Sequence, residues 1–146
     1  MIPYLNSELK MKNVSRNAFP VLILLLLASC SSSAQDARVT DIHPGGLADF
    51  LEQNNAVIID VRTPGEWEAG KVESALTINL GHRGFNEAIA DLDRDATYLV
   101  YCNSGNRSRI ATRRMVEMGF TNVYNYDGYH HQIRGEYKEL GKPESR

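Results

Sequence analysis

The middle of the chain alternates short apolar runs with longer stretches in which apolar positions recur every three or four residues. The apolar runs are typical of buried strands and predict strands at residues 39–42, 57–60, 74–79, 98–101 and 122–125. The helical spacing predicts helices at residues 44–53, 85–92 and 107–118 and from about residue 129 onward. Strands that alternate with helices predict an α/β fold with a parallel sheet covered on both faces.

The beginning of the chain has a different pattern. Lys10, Lys12 and Arg16 precede an apolar run at residues 19–27, which is shorter than the roughly 20 residues that a membrane-spanning helix needs. A basic region, an apolar run and a small-residue end are the parts of a secretory signal peptide. We therefore predict a signal peptide over residues 1–29, with the translation start at Met1 or at Met11.

Residues 27–30 read Leu-Ala-Ser-Cys, which resembles the lipobox of bacterial lipoproteins. The resemblance implies cleavage before Cys30, lipidation of its thiol and attachment of the protein to a membrane. Because Ser31 stands where a retention signal would carry Asp, we expect the periplasmic face of the outer membrane as the destination. Small polar residues predict a flexible tether over residues 30–37, and we expect residues 38–146 to form the globular domain.

Length and charge limit what this domain can be. The chain has 146 residues, 42% of them hydrophobic, which fits one domain with its own core. Its formal net charge of −2 gives no reason to expect a nucleic-acid partner. We expect a monomer.

Cys102 follows the predicted strand at residues 98–101, at the strand end where open α/β sheets bind ligands. Small and polar residues after it let backbone N–H groups converge on one point, an arrangement that holds an anion. A free thiol has a pKa of about 8.5, and a helix N-terminus with nearby arginines lowers it to roughly 3.5–7.5. We therefore predict a thiolate at Cys102, the alternative being a structural cysteine buried in the core.

Several motifs in order resemble the rhodanese (sulfurtransferase) family over about residues 39–137. They are Val57-Ile-Ile-Asp-Val-Arg62, Glu66-Trp-Glu-Ala-Gly70 and Cys102-Asn-Ser-Gly-Asn-Arg-Ser108. The resemblance implies a three-layer rhodanese-like domain whose central, mostly parallel sheet has helices on both faces. It also implies transfer of a sulfane sulfur from a donor such as thiosulfate, through a Cys102 persulfide and without a cofactor, to a thiol or, in vitro, to cyanide.

The same resemblance assigns roles around Cys102. The persulfide is held by a loop made of Asn103, Ser104, Gly105, Asn106, Arg107 and Ser108. Arg107 is our candidate for the donor's oxyanion charge, and Arg109 is a weaker one because helix geometry can turn it away. Asp60 and Arg62 support the site from the neighbouring strand, and Glu66 is placed for an ion pair with Arg62 four residues earlier.

Two other classes of protein share this layout. Tyrosine phosphatases need Cys-x5-Arg, and residue 108 is Ser, so the spacing argues against a phosphatase or an arsenate reductase. A rhodanese-like binding or redox-sensing module stays open. Adjacent His130 and His131 point in different directions on a helix and have no partner four residues on, so we predict no metal site.

Overall fold

The computed structural model of the protein describes residues 39–141, 144 and 145, with side chains as far as residue 141. The strands are β1 Thr40–Ile42, β2 Val57–Asp60, β3 Lys71–Val72, β4 Leu76–Thr77, β5 Thr97–Tyr101, β6 Asn122–Tyr126 and β7 Glu144–Ser145. Five of them form one sheet in the order β1-β6-β5-β2-β4, in which every neighbouring pair is parallel. The short strands β3 and β7 pair antiparallel beside it. The middle strand of the main sheet is therefore β5, the strand that leads into Cys102.

The helices are α1 Leu47–Gln53, α2 Pro64–Glu68, α3 Phe85–Ala90, α4 Asn106–Glu117 and α5 His130–Glu139. Side chains along β2 and β5 alternate between two buried clusters. Ile59 and Val100 pack in a cluster with residues of α3 and α4, whereas Ile58 and Leu99 pack with residues of α1 and α5. This alternation confirms the predicted three-layer α/β fold, because each face of the sheet buries its own pair of helices.

The main differences from the prediction are two element boundaries and one additional helix. The strand predicted at residues 74–79 is only Leu76–Thr77, since β4 is an edge strand whose two residues are exposed. Pro44 lies in a turn, and α1 begins later, at Leu47. The single-turn helix α2 has no apolar spacing that predicts it; a capping box between Thr63 and Glu66 forms it instead.

The predicted signal peptide at residues 1–29, the lipidation site Cys30 and the tether that continues to residue 37 lie outside the described residues and stay predictions. In the part of the chain that the structure describes, none of the helices has the length and apolar character needed to cross a membrane.

Candidate active site

Cys102 lies directly after β5, with the ends of β2 and β6 on either side. Its side chain is a free thiol that packs with Ala111 and Met115 of α4, and the residue is only 1% exposed. Because α4 begins four residues later, the sulfur lies beside the first turn of that helix. The predicted order of strand, cysteine, loop and helix is confirmed.

Gly105 makes the sharp turn between Cys102 and α4. Its φ of +80° is favourable only for glycine, and a Cβ there would lie 3.0 Å from Oδ1 of Asp127. The turn directs the first N–H groups of α4 back toward the sulfur. At the other end α4 stops before Gly119, whose φ of +93° is the left-handed conformation that ends many helices.

The sulfur of Cys102 is surrounded by hydrogen-bond donors. Burial alone raises the pKa of the thiol, but the Ser108 hydroxyl and the backbone N–H groups of Ser104, Ser108 and Arg107 outweigh it, so the pKa lies below its ordinary value. The Ser108 Oγ is 3.5 Å from the sulfur and 3.0 Å from the carbonyl oxygen of Gly105. The direction of the predicted shift is therefore confirmed.

The remaining loop residues have structural contacts of their own, and their predicted role in holding a persulfide stays a prediction. The carbonyl of Asn103 accepts a 3.1 Å hydrogen bond from the backbone N–H of His130, which ties the loop to α5. Gly105 supplies the turn, and Asn106 is the exposed first residue of α4. The donors that lower the pKa of Cys102, which we call the cradle, thus include the backbone N–H groups of Ser104, Arg107 and Ser108 and the hydroxyl of Ser108.

Arg107 is already paired with a carboxylate. Its Nη1 and Nη2 each donate a 2.7 Å hydrogen bond to Glu66, one to each carboxylate oxygen. The bond from Arg107 lowers the pKa of Glu66 to about 2, and the charge of the Cys102 thiolate contributes to raising the pKa of Arg107. Arg107 therefore lies beside the sulfur as predicted, but its charge is shared with Glu66. The predicted ion pair between Glu66 and Arg62 is wrong.

Arg109 is turned away from the sulfur. Its Nη2 donates to Oδ2 of Asp41 at 2.8 Å and to Oδ1 of Asp127 at 3.1 Å. These carboxylates lie in β1 and directly after β6, on the side of the sheet away from β2. Arg109 consequently holds α4 to the strands, as the helix geometry led us to expect.

Asp60 and Arg62 form a buried ion pair at the end of β2. Nε and Nη2 of Arg62 both bind the Asp60 carboxylate, and Nη2 also donates to the carbonyl of Gly70 at 2.8 Å. The Tyr101 hydroxyl donates to Asp60 at 2.6 Å and accepts a hydrogen bond from the N–H of Val72. Burial lowers the pKa of Arg62, but the hydrogen bond and the charge of Asp60 outweigh it, so the pKa of Arg62 lies above its ordinary value. The pair fixes the backbone that follows β2.

His130, which the sequence analysis considers only as a metal ligand, also lies in this region. Its ring stacks on Tyr101, with centroids 6.2 Å apart and an 8° angle between the planes. Burial and the positive charges of Arg62 and Arg134 lower its pKa, so the imidazole is neutral at pH 7. The described residues contain no group of three His, Cys, Asp or Glu side chains that could hold a metal ion. No local signal identifies His130, because only the pairing of β6 with β5 brings it to the loop.

Comparison with known proteins adds four relationships. Residues 43–131 match the rhodanese-like domain family. The thiosulfate sulfurtransferase GlpE of Pseudomonas entomophila is 37% identical over 78 residues, which cover 53% of this chain and 70% of that protein. The tRNA sulfurtransferase of Vibrio cholerae is 35% identical over 83 residues, but the match covers only 17% of its length and 55% of this chain. A crystal structure of a rhodanese-related protein from Thermoplasma volcanium has a TM-score of 0.56 at 26% identity, covering 73% of this chain and 97% of that one.

A parallel α/β sheet that presents a cysteine in a short loop of N–H groups defines a domain for covalent chemistry at sulfur. The chain belongs to the rhodanese-like domain family, since the family match covers more than half of it. These relationships also support sulfurtransferase activity in general.

Proposed function

We propose that the protein transfers a sulfane sulfur from thiosulfate, through a persulfide on Cys102, to a thiol acceptor. The observation that carries the proposal is the ring of donors around a thiol whose pKa is lowered. A lowered pKa increases the fraction of the nucleophile that is ionised at neutral pH, and the same donors stabilise a negative charge placed one sulfur further out. The similarity to thiosulfate sulfurtransferases supports thiosulfate as the donor.

The loading step is a displacement at sulfur. The Cys102 thiolate attacks the outer sulfur of thiosulfate, a new S–S bond forms, and the bond between the two sulfurs of thiosulfate breaks. Sulfite leaves with the electron pair, and Cys102–S–S⁻ remains with its charge on the outer sulfur. N–H groups at the start of α4 then hold that charge, as helix N-termini do for other anions.

The size of the loop favours sulfur over phosphate as the group that is held. The donors to Cys102 come from residues at most six positions further along the chain, and the sixth position is Ser108, whose hydroxyl touches the sulfur. An arginine at that position would enclose a tetrahedral oxyanion. A nearly buried thiol under a short loop instead accommodates one additional sulfur atom.

We also propose that Cys30 carries the lipid predicted from the sequence and that the domain works on the periplasmic side of the outer membrane. The basic residues, the apolar run and the Leu-Ala-Ser-Cys box support this placement. Fractionation of cells that produce the full chain tests it. The protein should sediment with membranes, and Cys30→Ser should release it.

Intact mass spectrometry of the reduced protein tests the sulfur chemistry. Thiosulfate should add the mass of one sulfur atom, cyanide should remove it, and Cys102→Ser should gain nothing. Cys102→Ser is a suitable control because the hydroxyl fills nearly the same space but is not ionised at neutral pH. If the protein prepared under reducing conditions gains no sulfur, the proposal fails and a binding module becomes the better interpretation.

A further inference from the structure

A cavity of about 270 Å³ opens between α2 and α3, and nothing in the loading step uses it. Most of its wall is apolar, and Thr77, Asn79 and His82 lie among the other lining residues. We call it the α2–α3 cavity. Its apolar lining consists mainly of Pro64, Trp67, Ile78, Phe85 and Ala88.

The α2–α3 cavity is close to Cys102 along two routes. Trp67 follows Glu66, whose carboxylate is bonded to Arg107 of the active-site loop. Along the sheet edge, the N–H of Leu80 donates to the carbonyl of Val61, and the N–H of Val61 donates to the carbonyl of Tyr101. Two strand spacings of about 4.8 Å therefore separate the chain beside Ile78 from the end of β5, a distance of about 10 Å. Phe85 also packs in the same buried cluster as Cys102.

Size and charge indicate what the α2–α3 cavity can hold. A cavity of roughly 150 Å³ is enough for benzene, so about 270 Å³ takes an aromatic ring or a branched alkyl group with a short linker. Glu66, which precedes the lining residue Trp67, and Arg107 of the active-site loop neutralise each other through two hydrogen bonds. An uncharged apolar group therefore fits better than an anionic or cationic one.

We propose that the α2–α3 cavity binds the apolar substituent of the thiol that accepts sulfur from Cys102. The inference rests on the proposed function and names its acceptor class, low-molecular-weight thiols R–SH in which R is aromatic or branched aliphatic. In the transfer, the proton of R–SH passes to the outer sulfur of Cys102–S–S⁻, and the thiolate R–S⁻ attacks that sulfur and forms an R–S–SH persulfide. The bond between Cys102 and that sulfur breaks, and Cys102 leaves as the thiolate, ready for another donor.

The experiment is a single-turnover unloading of the soluble persulfide form, prepared with thiosulfate. Loss of one sulfur atom from the intact mass is timed with 2-phenylethanethiol and with 2-mercaptoethanol, two alkyl thiols that differ in the substituent. The readout is the ratio of the two rates within one protein, which cancels any difference in the amount of active protein. We expect the ratio to exceed about ten, the discrimination typical of an apolar pocket.

Two matched variants locate the effect. Ala88→Leu fills the α2–α3 cavity from α3 and should lower the ratio about tenfold, whereas Ala90→Leu adds the same side chain at an exposed position of α3 outside the lining and should leave the ratio unchanged. Equal rates in the unmodified protein, or equal ratios in the two variants, overturn the inference while the persulfide still supports the proposed function. Failure to form the persulfide overturns both.

Discussion

Two anions lie at the ends of the neighbouring strands β2 and β5, and the protein holds them in opposite ways. The carboxylate of Asp60 is bonded to the guanidinium of Arg62 and to the hydroxyl of Tyr101, and it is completely buried. The thiolate of Cys102 is held by backbone N–H groups and the hydroxyl of Ser108, while the nearest cation, Arg107, is shared with Glu66. One anion is neutralised by its own partner, and the other is only solvated by dipoles.

The difference explains which of the two anions can react. A buried carboxylate that has a bidentate cation and a further donor has no free lone pair directed at a substrate, so Asp60 serves to fix the backbone. Dipoles lower the pKa of Cys102 without forming an ion pair with the sulfur, so the thiolate keeps its nucleophilicity and can pass its charge to an outer sulfur. The comparison predicts that changes at Asp60 act on stability, whereas changes at the cradle act on chemistry.

The largest effect on stability should follow from removing the charge of Asp60. Asp60→Asn leaves Arg62 buried and unpaired, which costs about 3–5 kcal/mol in the free energy of unfolding, measured by urea denaturation. Glu66→Gln is the matched control, since it also exchanges a paired carboxylate for an amide but at a half-exposed position. It should cost less than about 1 kcal/mol. Similar losses of unfolding free energy in both variants would show that burial does not make the Asp60–Arg62 pair more important for stability than the Glu66–Arg107 pair.

Part of this contrast was predictable from the sequence. Apolar runs and glycine positions predict where the strands end, at Asp60 and Cys102. They also predict the loop and the helix from about residue 107, because these signals are local. The partners of Arg62, Glu66 and Arg107 were assigned wrongly or only in part, since they depend on how α2 is oriented against the loop. Sequence separation favoured the pair four residues apart, whereas the structure bonds Glu66 to a residue 41 positions away.

Gly105→Ala should break the cradle with a smaller loss of stability. An alanine at φ +80° costs about 1–2 kcal/mol, and its Cβ would lie 3.0 Å from Asp127 Oδ1. Displacement of the loop should also slow persulfide formation, timed by intact mass. Gly65→Ala in α2 is the control, because nothing lies within 4 Å of the added carbon and the free energy of unfolding should not fall. Equal loading rates in the two variants would argue that the loop conformation is not needed.

Ser108→Ala should weaken the cradle without disturbing the fold. Loss of the hydroxyl removes a donor to the thiolate, so the pKa of Cys102 should rise and the rate of alkylation by iodoacetamide should reach its plateau at a higher pH. The rate rises with pH because only the thiolate reacts. Ser104→Ala is the control, since Ser104 contributes its backbone N–H, which alanine keeps. An unchanged profile in Ser108→Ala would mean that the Ser108 hydroxyl donates its hydrogen bond to the carbonyl of Gly105 and not to the sulfur.

The smallest effects should come from the half-exposed ion pair between Glu66 and Arg107. Glu66 limits the charge that Arg107 offers to thiosulfate, so Glu66→Gln should free the guanidinium and lower the KM for thiosulfate. Arg107→Gln leaves the Glu66 carboxylate without its cation and should raise the KM. Each change should be at most about fivefold, the equivalent of about 1 kcal/mol for a half-exposed charge, and both should shrink as salt is added. Shifts in the same direction would instead mean that the pair acts only by holding α2 against the loop, because either substitution breaks that contact equally.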